Sequence, residues 1–354
     1  MEWLVKVGIF GGSGYVGGEL LRILLGHGEA EIAFVSSKRF NGKAVHKVHP
    51  HLRGLKDLDF SSPTVKEAVG MADVFFLSLP HTSSAPLAVS LLEGRKRVID
   101  LSADFRLKDS KDYEKWYNWK HPHPELLKHA VLGLPELHRE EIRSADLVAV
   151  PGCMATASIL ALVPVVARGL VKSNPIVVDA KIGSSGGGSA PTLEGYHPER
   201  YSVVRAYKPV GHRHTAEIEQ EVSAFTNEQI VISFTPHAVN MVRGILCTIH
   251  TFMRNKLENK DVWRAYRESY GNEPFVRLVK DPTVLHGLPD PKTLIGSNYC
   301  DVGFELDDHA GRLLLFSSID NLIKGAAGNA VQCLNLMIGI EESVGLKFPG
   351  IHPL

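Results

Sequence analysis

Leu4-Val-Lys-Val-Gly-Ile-Phe-Gly-Gly-Ser-Gly-Tyr-Val-Gly17 is the stretch that decides the fold of this chain. The run that ends at Phe10 is apolar at nearly every position, which is typical of a strand buried on both faces of a parallel sheet. A helical pattern of leucines and isoleucine continues to Leu25, and a second apolar run covers Ile32 to Val35. A strand, a glycine-rich turn, a helix and a second strand together predict a βαβ unit.

The glycines of Gly12-x-Gly14-x-x-Gly17 lie between that strand and that helix. Such glycines allow a tight turn, a close approach of the backbone to a pyrophosphate, and close packing of helix on strand. The first N–H groups of the helix then face the phosphates. We therefore predict a dinucleotide-binding Rossmann domain; a merely structural turn is the alternative. The predicted cofactor-binding residues in this turn are Gly12, Ser13, Gly14, Tyr15 and Val16.

The end of the second strand bears on the choice of cofactor. NAD sites usually have an acidic residue there, which binds the ribose 2′-hydroxyl. This chain has Ser36-Ser37-Lys38-Arg39 instead. Because two cations would attract a 2′-phosphate, we predict NADP, bound in part by Ser37, Lys38 and Arg39. The alternative is that Lys38 and Arg39 are solvated surface charges.

The composition is that of an ordinary globular protein. Of the 354 residues, 44% are hydrophobic and 22% are charged, and this length suggests about two domains. Lys plus Arg equals Asp plus Glu at 39 each, so the charge indicates neither a nucleic-acid nor a membrane partner. The N-terminus has no basic leader and no long apolar run, so we expect neither secretion nor membrane insertion and predict a cytoplasmic location.

Cysteine usage fits a reducing compartment without a disulfide framework. The four cysteines are far apart and form no Cys-x-x-Cys pair, which also argues against a zinc site. His46, His49 and His51 cluster in an irregular segment, but no cysteine or carboxylate nearby completes a ligand set, so we predict no metal.

The pattern changes after residue 152. Alternating segments then predict a mixed or antiparallel sheet, at 230–235, 244–253 and 312–319. We expect a Rossmann-type NADP-binding domain from 1–152 together with the last helix and C-terminus, 328–354. An α+β catalytic and dimerisation domain would comprise 153–327. Residues 107–135 are polar and rich in Trp, Tyr, His and Pro, which is typical of an irregular loop or a subunit contact.

Val148-Ala-Val-Pro-Gly-Cys153-Met-Ala-Thr-Ala157 predicts a short strand, a Pro-Gly turn and a helix that begins at Cys153. A thiol in the first turn of a helix faces unpaired N–H groups and the positive end of the helix dipole. Both favour the thiolate, so Cys153 is a candidate nucleophile. The alternative is a buried structural cysteine.

Two histidines flank an arginine in Gly211-His212-Arg213-His214-Thr215, where Thr215 is expected to cap a helix. Histidine can act as a general acid or base near pH 7, and arginine can hold a carboxylate or phosphate bidentately. The separation from the cysteine (212 − 153 = 59 residues) allows a helix, a strand and a loop to return the histidine to the thiol. The alternative is a helix-entry loop whose histidines make only local hydrogen bonds.

Other polar residues could contact substrate or cofactor. Arg200 and Arg205 suit an anionic substrate but could equally lie on the surface. Arg106 could pair with Asp104 or face the cofactor crevice. Asn321 could hydrogen-bond a nicotinamide carboxamide, or belong to a small-residue segment that only packs on the sheet.

Five motifs together resemble the N-acetyl-gamma-glutamyl-phosphate reductase family, which is related to aspartate-semialdehyde dehydrogenase. They are Gly11–Gly17, Ile99-Asp-Leu-Ser-Ala-Asp-Phe-Arg106, Pro151-Gly-Cys153, Gly211-His-Arg-His-Thr215 and Asp320-Asn-Leu-Ile-Lys-Gly-Ala-Ala-Gly328. The resemblance runs from residue 5 to residue 353. It implies reduction of an acyl phosphate to a semialdehyde by NADPH through a Cys153 thioester, in a homotetramer or dimer.

The family pattern implies His212 as the acid/base residue, with His214 or Arg213 assisting. With the residue chemistry above, it leads us to predict four substrate-binding residues, which are Arg106, Arg200, Arg205 and His214. Aspartate-semialdehyde dehydrogenase itself is the competing enzyme, but its general base normally lies much further along the chain from its cysteine. A non-catalytic NADP-binding sensor is the competing interpretation from another class.

Two places resemble a particular branch of the family. Met154-Ala155 follows the cysteine where the ordinary arginine-pathway enzyme more usually has Tyr-Pro, and His197-Pro-Glu-Arg200 precedes the histidine loop. Both resemble the enzymes that act on acyl phosphates joined to the carrier protein LysW. The resemblance thus implies a [LysW]-aminoadipyl or [LysW]-glutamyl phosphate substrate in lysine or arginine biosynthesis. The alternative is the free N-acetylglutamyl phosphate.

Overall fold

A computed structural model describes residues 4–353, and these residues form two compact units. The first unit contains the described residues up to Pro151 together with Ala326–Phe348. The second unit contains Gly152–Gly325 and the described residues from Pro349 onward. The sequence places residues 349–353 with the first unit instead. In the structure, the N–H of Ile351 donates to the carbonyl of Ile295 within the second unit (3.0 Å).

The first unit is built on a parallel sheet of seven strands. They are β1 (Val5–Phe10), β2 (Ala30–Ser36), β3 (Phe60–Ser61), β4 (Val74–Leu77), β5 (Arg97–Asp100), β6 (Val131–Leu132) and β7 (Leu147–Ala149). Their order in space is β3-β2-β1-β4-β5-β7-β6, and every neighbouring pair is parallel. The order reverses between β1 and β4, and ligands of such sheets bind at the carboxyl ends of the strands beside that point.

Six α-helices lie in the described residues of this unit. They are α1 (Tyr15–Leu24), α2 (Val65–Met71), α3 (Ser84–Glu93), α4 (Ser110–Tyr117), α5 (Pro135–Ser144) and, from the end of the chain, α10 (Gly328–Met337). All four residues of β4 are buried, as are the last four of β1. Strands buried on both faces need the near-continuous apolar runs that this sequence has. The predicted α/β fold is therefore confirmed.

The second unit has a mixed sheet of seven strands. They are β8 (Ile176–Ile182), β9 (Val204–Ala206), β10 (Ile232–Val239), β11 (Ile245–Phe252), β12 (Val276–Leu278), β13 (Cys300–Asp307) and β14 (Arg312–Ile319). Their order is β12-β13-β14-β11-β8-β10-β9. The β8/β10 and β12/β13 pairs are parallel and the others are antiparallel, as predicted for a mixed sheet.

The helices of the second unit are α6 (Cys153–Ala167), α7 (His197–Arg200), α8 (His214–Ser223) and α9 (Asn259–Tyr270). Every residue of α6 from Met154 to Val166 is buried. A helix that is apolar all round must be covered on all sides, and here α6 packs against α8, α9 and several strands of the sheet. This packing holds the start of α6, where Cys153 lies, in a fixed place within the unit.

Two local predictions are wrong. Residues 107–135 were expected to be irregular, yet they contain α4 and β6. The side chain of Asp109 accepts from the N–H of Lys111, and the buried Tyr113 hydroxyl donates to the carbonyl of Ala103 (3.1 Å), so a cap and a tyrosine hydrogen bond stabilise the polar helix. Helix α8 begins at His214, so Thr215 lies inside the first turn rather than at the cap.

No helix in residues 4–353 is both long enough and apolar enough to cross a lipid bilayer.

Candidate active site

The glycine-rich turn of the first unit is close-packed against its surroundings. Gly11 has a φ of +84°, which glycine adopts without strain. A Cβ atom on Gly12 would lie 2.1 Å from Cγ2 of Val35, and one on Gly17 would lie 2.6 Å from the Cα of Gly12. On Gly14, by contrast, a Cβ would meet only the Gly11 carbonyl oxygen, at 4.0 Å. Gly12 therefore packs on β2 and Gly17 brings α1 onto the turn, whereas Gly14 leaves space where a ligand can approach.

The turn has the chemistry of a phosphate site. Gly14 precedes the first helical residue of α1 and provides no side chain to cap it. The first N–H groups of the helix, beginning at Tyr15 and Val16, point along the axis without partners in the helix itself, as phosphates require. The hydroxyl of Ser37 donates to that of Ser13 (2.9 Å), which joins the end of β2 to the turn. These predicted residues thus lie together and fit a dinucleotide.

Beyond Ser37, the chain presents two cations. Lys38 and Arg39 are exposed, and the Arg39 guanidinium lies 5.1 Å from the ring centroid of Phe40. Ser37 is only 6% exposed. A hydroxyl and two exposed cations at the end of β2 fit a ribose 2′-phosphate.

His49 supports the turn from outside. Its Nε2 is hydrogen-bonded to the carbonyl oxygen of Gly12 (2.8 Å), and burial lowers its pKa. A Cβ on Gly18 would lie 2.7 Å from the His49 ring, so the histidine also packs on α1. Among the described residues, no group of three or more His, Cys, Asp or Glu side chains is arranged to hold a metal ion.

The predicted residue Arg106 binds backbone. Its Nε donates to the carbonyl of Val150 (2.8 Å) and its Nη2 to that of Leu101 (3.0 Å). Asp104 instead accepts from Nδ1 of His81 (2.7 Å) and from three N–H groups at the start of α3. Of the two alternatives for Arg106, the pairing with Asp104 is wrong, and its contact with substrate stays a prediction.

Cys153 is the first residue of α6 and is partly exposed. The other three cysteines among residues 4–353 are buried. The helix extends over 15 residues, so the positive end of its dipole and its first N–H groups lie beside the thiol. Activation of Cys153 as a nucleophile stays a prediction. A Cβ on Gly325 would lie 2.6 Å from the Cβ of Cys153. Gly325 therefore packs directly on the cysteine, and the small residues of the last motif allow that approach.

Helix α8 brings two side chains to the residue before the cysteine. The N–H of Gly152 donates to Oε2 of Glu217 (2.7 Å), which is 1% exposed. A Cβ on Gly152 would lie 2.2 Å from Nε2 of His214. His214 and Glu217 are three positions apart and so share one helix face. Sequence reasoning missed Glu217, although the same spacing from a candidate histidine was a signal that could have identified it.

His212 contacts both His214 and Phe234. The N–H of His214 donates to Nδ1 of His212 (3.2 Å), and the His212 ring packs on Phe234 with centroids 5.0 Å apart. Burial, with the charges of His214 and Lys208, lowers the pKa of His212 to about 3. Its ring is therefore neutral at neutral pH, far from the pKa near 7 that best suits proton transfer.

Tyr207 and Cys247 complete the surroundings of the thiol. Burial raises the pKa of the Tyr207 phenol, and the nearby Cys153 raises it further, so the hydroxyl keeps its proton at neutral pH. Burial raises the pKa of Cys247 to about 12. Its Sγ lies 3.6 Å from the Ser158 hydroxyl on the buried side of α6. Cys247 is thus an inert thiol, and Tyr207 is a hydrogen-bond donor.

The predicted arginines lie on the segment that leads to His212. Nη2 of Arg200 donates to the carbonyl of Ile182 (2.9 Å), while its Nε is buried and has no hydrogen-bond partner among the described residues. A buried donor without a partner is costly, and a bound anion would satisfy it. Arg205 is half-buried on β9. Contact of Arg200 and Arg205 with substrate stays a prediction, and the unpaired Nε of Arg200 supports it.

Asn321 has a structural contact that the sequence did not suggest. Its Oδ1 accepts from the N–H of Gly244 (2.8 Å), and its Nδ2 donates to the hydroxyl of Ser185 (3.0 Å). The side chain is 3% exposed and joins the glycine-rich loop after β8 to the start of β11. Contact with nicotinamide stays a prediction for this residue.

Two family models match separate parts of the chain. Residues 6–145 match the family described as semialdehyde dehydrogenase, NAD binding domain. Residues 153–321 match the family described as semialdehyde dehydrogenase, dimerisation domain.

Similar curated proteins match over the full length. A putative [LysW]-L-2-aminoadipate/[LysW]-L-glutamate phosphate reductase of Cenarchaeum symbiosum is 51% identical over 99% of this chain and 100% of its own. The [LysW]-L-2-aminoadipate/[LysW]-L-glutamate phosphate reductase of Saccharolobus solfataricus is 47% identical, and 100% of both chains is covered.

Solved structures show the same fold at low identity. Aspartate semialdehyde dehydrogenase II of Vibrio cholerae, complexed with ASA, has a TM-score of 0.70 at 21% identity and covers 95% of this chain and 98% of its own. Aspartate semialdehyde dehydrogenase of Candida albicans, with NADP, has a TM-score of 0.66 at 16% identity, with 97% and 100% covered.

Proposed function

Because this chain belongs to the [LysW]-L-2-aminoadipate/[LysW]-L-glutamate phosphate reductases of the semialdehyde dehydrogenase family, we propose that it reduces a carrier-linked acyl phosphate to its semialdehyde. The protein is an oxidoreductase that uses a nicotinamide cofactor. The substrate would be [LysW]-aminoadipyl 6-phosphate, [LysW]-glutamyl 5-phosphate or both, in lysine or arginine biosynthesis. The observation that carries this proposal is the full-length similarity to relatives of that name.

The thiol of Cys153 begins the proposed reaction. Its sulfur attacks the acyl carbonyl, a C–S bond forms, and the C–O bond to phosphate breaks, so inorganic phosphate leaves and a thioester remains. The first N–H groups of α6 face the carbonyl oxygen as negative charge develops there. A nicotinamide cofactor, which the glycine-rich turn and Ser37 would hold, would supply the hydride for reduction of the thioester carbon. The resulting hemithioacetal then releases the semialdehyde and restores the thiol.

We assign proton transfer to His214 rather than to His212, the residue favoured by the sequence. Nε2 of His214 is packed on Gly152, next to the cysteine, whereas the half-buried, neutral ring of His212 packs on Phe234. His214 accepts the thiol proton when the thioester forms and protonates the oxyanion left after hydride transfer. Glu217 holds the N–H of Gly152 and so fixes the turn that presents the thiol.

A comparison of two substrates tests the reaction. In the reverse direction, the purified protein should reduce NADP in the presence of phosphate and a LysW-linked aminoadipate or glutamate semialdehyde. Free N-acetylglutamate semialdehyde should be used far less well. Activity with the free N-acetylated substrate alone would show that the protein is an ordinary arginine-pathway reductase. No aldehyde-dependent activity with either would favour an NADP-binding sensor.

We also propose NADP as the cofactor, because Ser37, Lys38 and Arg39 fit a 2′-phosphate. Replacing both Lys38 and Arg39 with alanine should raise KM for NADPH by roughly ten- to a hundredfold, since screening by solvent reduces the two contacts together to about the 1.5–3 kcal/mol of one charge-assisted hydrogen bond. KM for NADH should change little. Steady-state kinetics with both cofactors would measure this, with exposed Arg53→Ala as the control. An equal rise for both cofactors would contradict a role in binding the 2′-phosphate.

The match to a dimerisation domain indicates that copies of the chain associate, and we propose a homotetramer or dimer. Four reduced cysteines support a cytoplasmic location.

A further inference from the structure

The loop after β4 holds a histidine that the proposed mechanism does not use. Nδ1 of His81 is hydrogen-bonded to Oδ1 of Asp104 (2.7 Å), whose side chain is completely buried. Burial raises the pKa of Asp104, but hydrogen bonds from His81 and from backbone N–H groups at the start of α3 outweigh it and lower that pKa below its usual value. Asp104 is therefore an ionised acceptor, and the proton of the neutral imidazole lies on Nδ1. Nε2 is left as a hydrogen-bond acceptor.

This second nitrogen has no partner in the described part of the chain. The Nε2 atom is buried, and no group in residues 4–353 forms a hydrogen bond with it. The rings of Tyr117 and Trp119 pack on that of His81, with centroids 4.7 and 4.8 Å away. A buried acceptor without a donor costs free energy, which a ligand with a hydroxyl or an N–H group would recover. The side chain is 20% exposed, so part of the ring is open to a ligand.

The backbone after His81 is held in one strained conformation. Thr82 has a φ of +75°, in the left-handed region that costs a β-branched residue free energy. Its N–H donates to Oδ1 of Asp104 (2.8 Å), the same oxygen that accepts from His81. One buried carboxylate thus fixes both the loop and the orientation of the ring. Strain of this kind is retained where a binding group must be held in place.

The loop adjoins the predicted dinucleotide turn. Strand β4 pairs with β1, and the strand order reverses between them. A Cβ atom on Gly11 would lie 2.0 Å from the carbonyl oxygen of Ser78, so the residues that follow β4 pack directly on the turn. His81 comes three residues after Ser78. It therefore lies at the edge of the sheet where such folds bind their ligands.

The order of the strands assigns the halves of the cofactor to different parts of this edge. The end of β2, with Ser37, Lys38 and Arg39, fits the 2′-phosphate of the adenosine half, and the turn after β1 fits the pyrophosphate. Because the strands lie in the order β2-β1-β4, a cofactor that continues past the turn has its nicotinamide half at the end of β4. The first donors of that half after the pyrophosphate are the ribose hydroxyls.

We propose that Nε2 of His81 accepts a hydrogen bond from a ribose hydroxyl in the nicotinamide half of the cofactor, and that Asp104 is the positioning residue that orients the ring. This inference rests on the proposed NADPH-dependent reduction. It is independent of which acyl phosphate is reduced, because both side chains belong to the first unit, as does the glycine-rich turn.

Two substitutions separate the outward acceptor from the inward contact. His81→Asn keeps an N–H donor near the position of Nδ1 and removes the acceptor, whereas His81→Gln places an amide oxygen near the position of Nε2 and gives up the contact with Asp104. His81→Asn should weaken NADPH binding by roughly three- to tenfold, the usual effect of one neutral hydrogen bond, and His81→Gln should weaken it less. Affinity for adenosine 2′,5′-bisphosphate, which lacks the nicotinamide half, should stay unchanged in both. Calorimetry would measure both ligands.

His138→Asn is the matched control. His138 lies in the same unit, its side chain is 22% exposed, and its Nδ1 lies 3.9 Å from a carboxylate oxygen of Glu141. It follows β6, however, which lies three strands beyond β4. This variant should bind both ligands as the wild-type protein does. Phosphate release from the acyl phosphate in the absence of cofactor should be unchanged in all three variants, since that step needs no nicotinamide.

Three outcomes would overturn the proposal. Unchanged NADPH affinity in His81→Asn would show that the histidine only holds the loop. An equal loss of affinity for NADPH and for the bisphosphate would show that it acts on the adenosine half or on the whole site. A greater loss in His81→Gln than in His81→Asn would show that the contact with Asp104 matters rather than the acceptor. If the protein reduced no acyl phosphate, the proposed function would fail, while these binding measurements would still decide the role of His81.

Discussion

The Cys153→Ser variant is expected to lose acyl-phosphate reduction by roughly four to six orders of magnitude, the usual cost of removing a covalent nucleophile. A serine hydroxyl at the start of α6 stays protonated at neutral pH, whereas a thiol there is readily ionised. The side chains are nearly the same size, so packing on Gly325 should survive. NADPH affinity should stay within twofold, because the glycine-rich turn belongs to the other unit.

Phosphate release and the covalent intermediate can be measured separately. The wild-type protein, given acyl phosphate without a cofactor, should release about one phosphate per active site and gain the acyl mass on the peptide that contains Cys153. The serine variant should do neither. Cys247→Ala is the control, since Cys247 is fully buried behind α6. Full reduction by the serine variant, or an acyl group on another residue, would refute the thioester route.

The His214→Asn variant is expected to lower kcat by about 10²–10⁴-fold, the range typical of a lost general acid/base. Asparagine keeps a polar side chain on α8 but cannot take up the thiol proton at neutral pH. The acylation rate and the pH dependence of kcat/KM should both change. Stopped-flow measurement of phosphate release and steady-state profiles between pH 5 and pH 9 would show this.

His212→Asn separates the two histidines. Because the pKa of His212 is lowered to about 3, its ring is neutral throughout that pH range, and replacing it should leave the shape of the profile unchanged. A smaller loss of kcat is expected, since His212 accepts a hydrogen bond from the N–H of His214. A normal profile in His214→Asn and an altered one in His212→Asn would return the role to His212.

Much of the first unit could be predicted because its signals are local. The apolar run of β1, the glycines of the turn and the periodicity of α1 lie within about twenty residues. They predict a buried strand, a tight turn and a helix, respectively. The same holds for Cys153, whose place at a helix start follows from the Pro-Gly turn before it. The polar helix α4 was missed because the residues that stabilise it, Asp109 and Tyr113, leave no apolar stripe in the sequence.

The sequence alone could not show which of His212 and His214 packs on Gly152. Both residues have the same chemistry and are two positions apart, so only the start and direction of α8 decide which ring packs on Gly152. Glu217 was missed for a related reason. Its carboxylate accepts a hydrogen bond from the N–H of Gly152, which lies 65 residues earlier in the chain, and nothing local indicates that this carboxylate is buried.

The sequence by itself determined the α/β class, the glycine-rich turn before α1 and the helix start at Cys153, because backbone conformation and helix starts depend on neighbours along the chain. Only the tertiary structure decided what surrounds the thiol. Glu217, His214 and Gly325 reach the start of α6 from distant parts of the second unit. Burial then lowers the pKa of His212, which a reading of the chain in order cannot anticipate. Reactivity depends on distances and desolvation, and these arise only when remote segments pack together.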